Sequence, residues 1–314
     1  MRGKKSRRPN DLLLDVPQDD VAELLQERGT RGRGLLHNPI THPYHGLQSR
    51  CKGKDFFQNH KMKLFDYPEA KQVIVSGDIH GDFRALVYQL CIRYGCTDTL
   101  LIVAGDCGFG FDKPAYYEQV YNAVAGRLRK ANNWIVFVRG NHDDPAYFTE
   151  ERIHHARWRA VPDYSVISVA GHNILCIGGA TSIDRYERIK LNARDHIKDV
   201  SYYWHDEVPV FMPAELASIP EGIKIDVVVS HTAPSFCELN THVGLESWAE
   251  WDPSLLEDVS AERTTMDQIY QYLKNQGHPL VKWFYGHFHQ SWRSFIGGTH
   301  FNMLDILEFK EVRG

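Results

Sequence analysis

The chain has 314 residues, of which 43% are hydrophobic and 24% are charged, and its formal net charge is −4 at pH 7. This composition is ordinary for a soluble globular protein with a buried core, and it provides no overall basic field for non-specific nucleic-acid binding. No apolar run approaches the ~18 residues of a membrane-spanning helix, and the basic N-terminus lacks the apolar core of a signal peptide. Because the six cysteines include no Cys-x-x-Cys pair, we expect reduced thiols, a cytoplasmic location and no membrane partner.

Residues 1–70 are predicted to form an N-terminal extension. Five Lys and Arg residues among the first ten are typical of a partly disordered basic arm. We expect this arm to stay solvated, and contact with a polyanion such as nucleic acid is the alternative. A short amphipathic helix is predicted from Gln18 to Glu27. The remainder is rich in Gly, Pro, His and Lys, and it is expected to pack partly on a second domain at 71–314.

From Lys71 onwards, apolar runs alternate with amphipathic stretches. Strands are predicted at 73–76, 100–104 and 134–138, and helices at 82–94 and 114–130. This alternation is typical of βαβ units, so we expect a layered α/β sheet with helices on its faces. In such sheets ligands bind beyond the carboxyl ends of the strands.

After Asn141 the predicted strands become shorter. They lie at 166–170, 173–177, 227–229, 282–285, 292–296 and 303–309, with one helix near 265–275. Insertions are predicted at about 178–209 and 237–261, and their aromatic residues could form a substrate-binding rim or simply cover the core. In the first insertion, Arg185 and Arg188 are candidate substrate-binding residues because a guanidinium fork matches phosphate oxygens.

Short polar motifs follow five of the apolar runs. The motifs are Asp78-Ile79-His80, Gly105-Asp106, Asn141-His142-Asp143, His231, and His287-Phe288-His289. A cluster of divalent ions needs anionic and imidazole donors from several chain segments that emerge at one edge of one sheet. The recurrence therefore indicates a metal site at the strand ends.

This series runs in order from Lys71 towards the C-terminus and resembles the calcineurin-like metallophosphoesterases, in particular their bacterial and phage-type members. The resemblance implies an α/β fold with α/β/β/α layers, in which two facing mixed β-sheets are flanked by helices. It also implies a dinuclear metal centre that hydrolyses phosphate esters with a bridging hydroxide. By resemblance, one ion is held by Asp78, His80, Asp106 and His289, and the other by Asp106, Asn141, His231 and His287.

The same resemblance assigns the protonation of the leaving group to His142. Mn is the ion that we expect first, while the mixed oxygen and nitrogen donors also suit Fe, Zn, Ni or Co. Protein Ser/Thr phosphatases supply an Asp after the second motif to orient this histidine, but here Phe109 follows Cys107-Gly108. Asp143, or alternatively Asp144, is the expected substitute. A Gly-Gly-Ala-x-Ser series at 178–182 supports the bacterial and phage-type resemblance.

These features favour a broad phosphomonoesterase or phosphodiesterase. The expected substrate is a phosphorylated small molecule, a nucleotide or a phosphoprotein, and nucleic acid is weakly supported. The alternatives are a nuclease or cyclic-nucleotide phosphodiesterase, a protein Ser/Thr phosphatase, and a non-catalytic scaffold with the same fold. Since every ligand position of the family is filled, the scaffold is the less favoured interpretation.

Overall fold

Two mixed β-sheets lie face to face and carry helices on their outer sides. The computed structural model describes residues 62–195, 197, 200–237 and 245–313. In strand order, the seven-stranded sheet contains β1 (Leu64–Asp66), β7 (Ser165–Val169), β8 (His172–Ile177), β9 (Val227–Ser230), β10 (Lys282–Tyr285), β12 (Thr299–Met303) and β11 (Trp292–Ile296). The six-stranded sheet contains β13 (Phe309–Val312), β2 (Gln72–Ser76), β3 (Thr99–Ala104), β4 (Trp134–Val138), β6 (Trp158–Ala160) and β5 (His154–His155).

Helices connect and cover these strands. The described α-helices are α1 (Phe83–Tyr88), α2 (Pro114–Ala131), α3 (Ala146–Thr149), α4 (Arg185–Asp195), α5 (Pro213–Ala217), α6 (Leu245–Ala249) and α7 (Leu255–Asn275). Helix α1 continues as a π-helical segment at Gln89–Arg93. The α/β fold class and its two mixed sheets are as the sequence predicts.

Helix α2 shows how the sequence sets these elements. Pro114 opens the helix, where its missing N–H costs no hydrogen bond. Its buried residues are Tyr117, Val120, Val124 and Leu128, which recur at helical spacing. Asn132, with φ 53°, ends the helix in the left-handed conformation and returns its N–H to the carbonyls of the last turn.

Three apolar layers hold the structure together. One lies between the sheets and contains alternate residues of the central strands, such as Val75, Ile102 and Val229. A second joins α1 and α2 to the six-stranded sheet, and a third joins α7 to the seven-stranded sheet through residues such as Met266 and Phe301. Alternate residues of one strand therefore face two different layers, as the period of a strand requires.

The topology brings the polar motifs to one edge. Strands β2, β3 and β4 pair in parallel, and so do β9 and β10. Each of these strands is followed in the sequence by one of the five motifs. Because the carboxyl ends of parallel strands meet at the same edge of a sheet, the motifs come together there.

Several elements differ from those predicted. The helix expected at 82–94 is α-helical only to Tyr88, and the strand expected at 303–309 is replaced by β12 and β13 on either side of a turn. Strand β1 lies within the predicted extension and pairs in parallel with β7. The helix predicted from Gln18 to Glu27 lies outside the described residues.

Candidate metal centre

Four of the seven candidate ligands have left-handed backbone conformations in the loops that follow their strands. His80, Asp106, His287 and His289 have φ values of 44°, 46°, 70° and 50°. Residues other than glycine rarely adopt this left-handed region, and such strain is concentrated at functional sites. The turns aim these side chains into one crevice.

The first donor group consists of Asp78, His80, Asp106 and His289. Each of these residues offers a ligand atom, and the four atoms lie within 4.8 Å of one another. The Nε2 atoms of His80 and His289 are 2.9 Å apart, and His289 Nε2 is 3.0 Å from Asp78 Oδ2. Two imidazole nitrogens and a carboxylate oxygen that converge in this way suit a divalent ion.

One atom of this group tests whether a cation fits. Asp78 is fully buried, and its Oδ2 accepts no hydrogen bond of normal geometry from the described residues. Its Oδ1 accepts the backbone N–H of His287 at 2.9 Å. His289 Nε2 lies 3.0 Å from the buried Oδ2. Because no donor satisfies this oxygen in normal hydrogen-bond geometry, a positive charge such as a metal ion would compensate it, and the oxygen fits a metal ligand.

The second donor group consists of Asp106, Asn141, His231 and His287. His231 Nε2 lies 3.0 Å from Asp106 Oδ1 and 2.9 Å from Asn141 Oδ1. His287 Nδ1 lies 3.0 Å from the same Asn141 oxygen. The two groups therefore share Asp106, which lies between them.

Further contacts fix His231 and Asp106 in place. His231 Nδ1 lies 2.7 Å from the Ala104 carbonyl, to which it donates, so Nε2 is the nitrogen that faces the second donor group. The backbone N–H of His142 donates to Asp106 Oδ1 at 2.8 Å. A Cβ atom at Gly140 would overlap Asp106, so only glycine allows this close approach of the β4 loop.

The buried charges shift one another's titration. Burial opposes ionisation of Asp106, but His142 and His231 together hold the pKa of this carboxyl well below its usual value. Burial also disfavours a charged His231, yet the Asp106 and Asp78 carboxylates raise its pKa to about 10. The Asp78 carboxylate raises the pKa of His289, whereas burial and His231 lower that of His287 well below its usual value. A proton therefore occupies His231 in the metal-free protein.

His142 lies beside the centre and contacts an arginine. Its side chain is a quarter exposed, and its Nδ1 is 3.9 Å from Asp106 Oδ2. The Nη2 atom of Arg188 lies 3.2 Å from His142 Nδ1 and closer still to Nε2. Burial is the main cause that lowers the pKa of His142 to about 4; Asp106 acts in the opposite direction, and Arg188 adds to the lowering. The ring is therefore neutral at pH 7 and can accept a hydrogen bond from the guanidinium.

The two arginines of the first insertion, both on α4, have different surroundings. Arg188 is buried, binds Asp184 through Nε at 2.6 Å, and directs Nη2 towards His142. Arg185 instead binds Asp252 and Asp258. A phosphate group that contacted Arg185 would have to compete with two carboxylates.

Asp143 makes contacts that the sequence did not suggest. Its carboxylate accepts hydrogen bonds from the backbone N–H groups of Cys107, Gly108, Phe109 and Gly140 at 2.8 to 3.0 Å. Through these hydrogen bonds, Asp143 connects the loop after β3 to the loop after β4. Burial and Asp106 raise the pKa of Asp143 to about 7, although the N–H groups of Cys107, Gly140 and Phe109 act to lower it. Asp144 caps Ala146 and lies 3.8 Å from Arg152, so the orienting role expected for either aspartate remains a prediction.

Two buried acids behind the centre were missed by sequence reasoning. Glu207 accepts hydrogen bonds from the backbone and hydroxyl of Ser182, whose oxygen in turn contacts Asn141. Glu262 contacts Thr181 and Thr232. The Gly-Gly-Ala-x-Ser series was a visible signal for Ser182, whereas nothing in the local sequence of either glutamate distinguished it from a surface acid.

The fold has two mixed sheets flanked by helices, with a possible metal-binding group at its strand ends. A model of the calcineurin-like phosphoesterase family matches residues 71–291, and the chain belongs to this family. A comparison with curated proteins gives no match.

Three solved structures are similar to this chain. A protein named TT1561 from Thermus thermophilus is 12% identical with a TM-score of 0.46, and the alignment covers 78% of this chain and 99% of that one. A dimetal phosphatase from Danio rerio is 11% identical with a TM-score of 0.40 and coverages of 76% and 88%. A phosphopantetheinyl hydrolase from Mycobacterium tuberculosis is 16% identical with a TM-score of 0.35 and coverages of 76% and 90%.

Two further observations concern the environment of the protein. In the described part of the chain, no helix has the length and apolar character needed to cross a membrane. Cys91, Cys96, Cys107, Cys176 and Cys237 are free thiols.

Proposed function

We propose that this protein hydrolyses phosphate esters with a centre that holds two divalent ions. The observation that carries the proposal is the position of Asp106, whose carboxylate lies between two groups of nitrogen and oxygen donors. Family membership supports hydrolysis of a phosphoester, and the buried Asp78 oxygen, which no donor satisfies in normal hydrogen-bond geometry, supports a cation in the first donor group. Two such ions, when bound, would lower the pKa of a water molecule and neutralise charge on the phosphoryl oxygens.

The chain itself supplies a fixed set of donors. The Ala104 carbonyl orients His231, and the His142 backbone N–H orients Asp106, so little reorganisation is needed when ions bind. Buried strand ends exclude water behind the ligands, while the exposed side of His289 leaves an approach from solvent. This arrangement suits a substrate that enters from the side of His80 and His289.

Arg188 and His142 lie beside the proposed metal centre, where we expect the leaving group of the substrate to bind. The guanidinium carries a permanent charge and donates hydrogen bonds, so it can bind a phosphoryl oxygen or stabilise a developing alkoxide. Protonation of the leaving group by His142 remains the prediction from sequence, and the low pKa of this ring makes Arg188 the competing candidate.

The substrate class belongs to the same proposal. A phosphorylated small molecule, a nucleotide or a phosphoprotein fits a site beside the Arg188 guanidinium, whereas a nucleic-acid substrate needs a longer basic surface. Mn is the ion that we propose first, and the nitrogen and oxygen donors of the two groups also suit Fe, Zn, Ni or Co. Free thiols support a cytoplasmic location.

A panel of ions and esters tests the proposal. Metal-stripped protein would receive Mn, Ni or Zn separately and would be assayed on p-nitrophenyl phosphate, its bis-ester, 2′,3′-cyclic nucleotides and a phosphopeptide. We expect hydrolysis that a chelator abolishes and Mn restores. Activity that is indifferent to both treatments would refute the two-ion centre, and protein that binds no metal would favour the non-catalytic scaffold.

A further inference from the structure

The loop after β8 lies against the second donor group. It consists of Gly178 to Ser182, the series that the sequence displays as Gly-Gly-Ala-Thr-Ser. Thr181 and Ser182 are buried, as is Asn141, which the loop contacts. Nothing in the proposed reaction uses these two hydroxyl residues.

A chain of hydrogen bonds connects this loop to Asn141. The Nδ2 atom of Asn141 donates to Ser182 Oγ at 2.9 Å. The hydroxyl of Ser182 donates to Glu207 Oε2 at 2.6 Å, and its backbone N–H donates to Oε1 at 2.7 Å. Glu207 is 1% exposed, so water does not compete for these bonds.

The positions of the protons give this chain a direction. Burial raises the pKa of Glu207 to about 8. Once Glu207 is ionised, its carboxylate only accepts hydrogen bonds, so both polar hydrogens of Ser182 are committed to it. Ser182 Oγ is then left as an acceptor and must face the NH₂ group of the Asn141 amide. The amide oxygen consequently faces His231 Nε2 at 2.9 Å and His287 Nδ1 at 3.0 Å.

We propose that Ser182, held by Glu207, is a positioning residue that fixes the orientation of the Asn141 amide so that its oxygen faces the second ion. If the amide turned over, its NH₂ group would point at the imidazole nitrogens of His231 and His287. The second ion would then lose the amide oxygen as a ligand, and the NH₂ hydrogens would occupy the space between the amide and the two imidazole nitrogens that must face the ion. The inference rests on the proposed two-ion centre and explains why a buried acid lies behind a neutral ligand.

A second acid, Glu262, connects the loop to the segment that follows β9. Glu262 Oε2 accepts the backbone N–H of Thr181 at 2.5 Å, and its Oε1 accepts the hydroxyl of Thr232 at 2.5 Å. Thr232 directly follows His231. The same loop is therefore tied to two segments that each supply a ligand of the second donor group.

Titration with Mn²⁺ alone tests the proposal. Metal-free Ser182→Ala and wild-type protein would be titrated by calorimetry in alkaline buffer, where Glu207 is ionised. We expect wild type to bind two ions, and the variant to lose about 10- to 100-fold in affinity for one ion while the other is unaffected, since removal of a partner that orients a ligand costs that much. Ser165→Ala is the matched control, because it removes a buried hydroxyl that donates to the Pro162 carbonyl rather than contacting Asn141 or Glu207. The control should keep both affinities.

A double-mutant cycle separates orientation from general loosening. In Asn141→Asp the ligand presents an oxygen on either side, so adding Ser182→Ala should cost little further affinity. Glu207→Gln provides a second single variant if Ser182→Ala fails to fold, and it should weaken the same ion. Wild-type affinity for both ions in the single variants, or equal losses with Asn and with Asp, would overturn the inference. Fewer than two ions in wild type would overturn the two-ion centre, and the inference with it.

Discussion

The two donor groups share Asp106 but differ in their surroundings. In the first group the side chains of His80 and His289 are 30% and 44% exposed. In the second group His231 is fully buried and Asn141 is nearly so. The Ala104 carbonyl orients His231, and Ser182 contacts Asn141. In the first group the imidazoles of His80 and His289 contact each other, and His289 also contacts Asp78.

This difference separates a preorganised site from an accessible one. A ligand that a buried partner holds in place loses little freedom when an ion binds, so we expect the second donor group to exchange its ion slowly. Exposed imidazoles can reorient and admit solvent, so the first donor group is expected to exchange its ion faster. Substrate would approach on this open side.

Loss of Asp106 should break both groups at once and have the largest effect. In Asp106→Asn we expect affinity for each ion to fall by about 100-fold or more, beyond the loss that an outer partner of a ligand typically causes. Hydrolysis should fall with it. Asp226→Asn is the control, because Asp226 precedes β9 at the opposite end of the strand from His231 and binds His172. Mn content and turnover would be measured for both variants, and two tightly bound ions in Asp106→Asn would contradict the shared position.

His142 lies next to both groups and holds no metal in our proposal, so its removal tests catalysis apart from binding. If it is an acid, His142→Ala should keep its metal and lose roughly 10²- to 10⁴-fold in turnover on alkyl phosphates. The loss on p-nitrophenyl phosphate should be much smaller, because that leaving group needs no proton. Equal losses on both esters would instead favour electrostatic stabilisation by Arg188 with His142 as its support.

The pH dependence of metal binding should sharpen the contrast between the groups. With its pKa raised to about 10, His231 is protonated below that pH in the metal-free protein, and an ion must displace this proton. Affinity of the second donor group should therefore rise about tenfold per pH unit for each proton released. Calorimetry in buffers of different ionisation enthalpy would count the protons. Binding of both ions that stays constant from neutral to alkaline pH would contradict this assignment.

The two arginines of α4 should give the smallest effects and differ from each other. Arg188→Gln removes the guanidinium next to His142. We therefore expect kcat/KM to fall by about tenfold or more, which corresponds to the usual contribution of a charge-assisted hydrogen bond. Arg185→Gln removes ion pairs with Asp252 and Asp258, so it should change the melting temperature more than kcat/KM. Kinetics and thermal unfolding of both variants would decide. A larger kinetic loss in Arg185→Gln would restore the role that the sequence suggested for it.

The sequence was sufficient for much of the fold and for a list of candidate ligands that the structure brings together. Asp78, Asp106 and Asn141 follow uninterrupted apolar runs that can only be buried strands, and parallel strands place their ends together. The structure brings all seven predicted ligands to one edge of the molecule, although which ion each one binds remains a prediction. Strand β1 was not predicted because three residues with little periodicity form it, and its pairing with β7 depends on a distant partner.

What the sequence determined is the list of donors and their order along the chain, since these follow from local apolar periodicity and short motifs. Only the tertiary structure decided which neighbours each donor has. Asp143, for which an orienting role towards His142 remains a prediction, accepts hydrogen bonds from four backbone N–H groups. Arg185 and Arg188 looked equivalent, although of the two it is Arg188 that contacts His142. Glu207 looked like a surface acid and lies behind Asn141. Such contacts join residues far apart in the chain, so loop conformation and packing set them, and no local pattern records them.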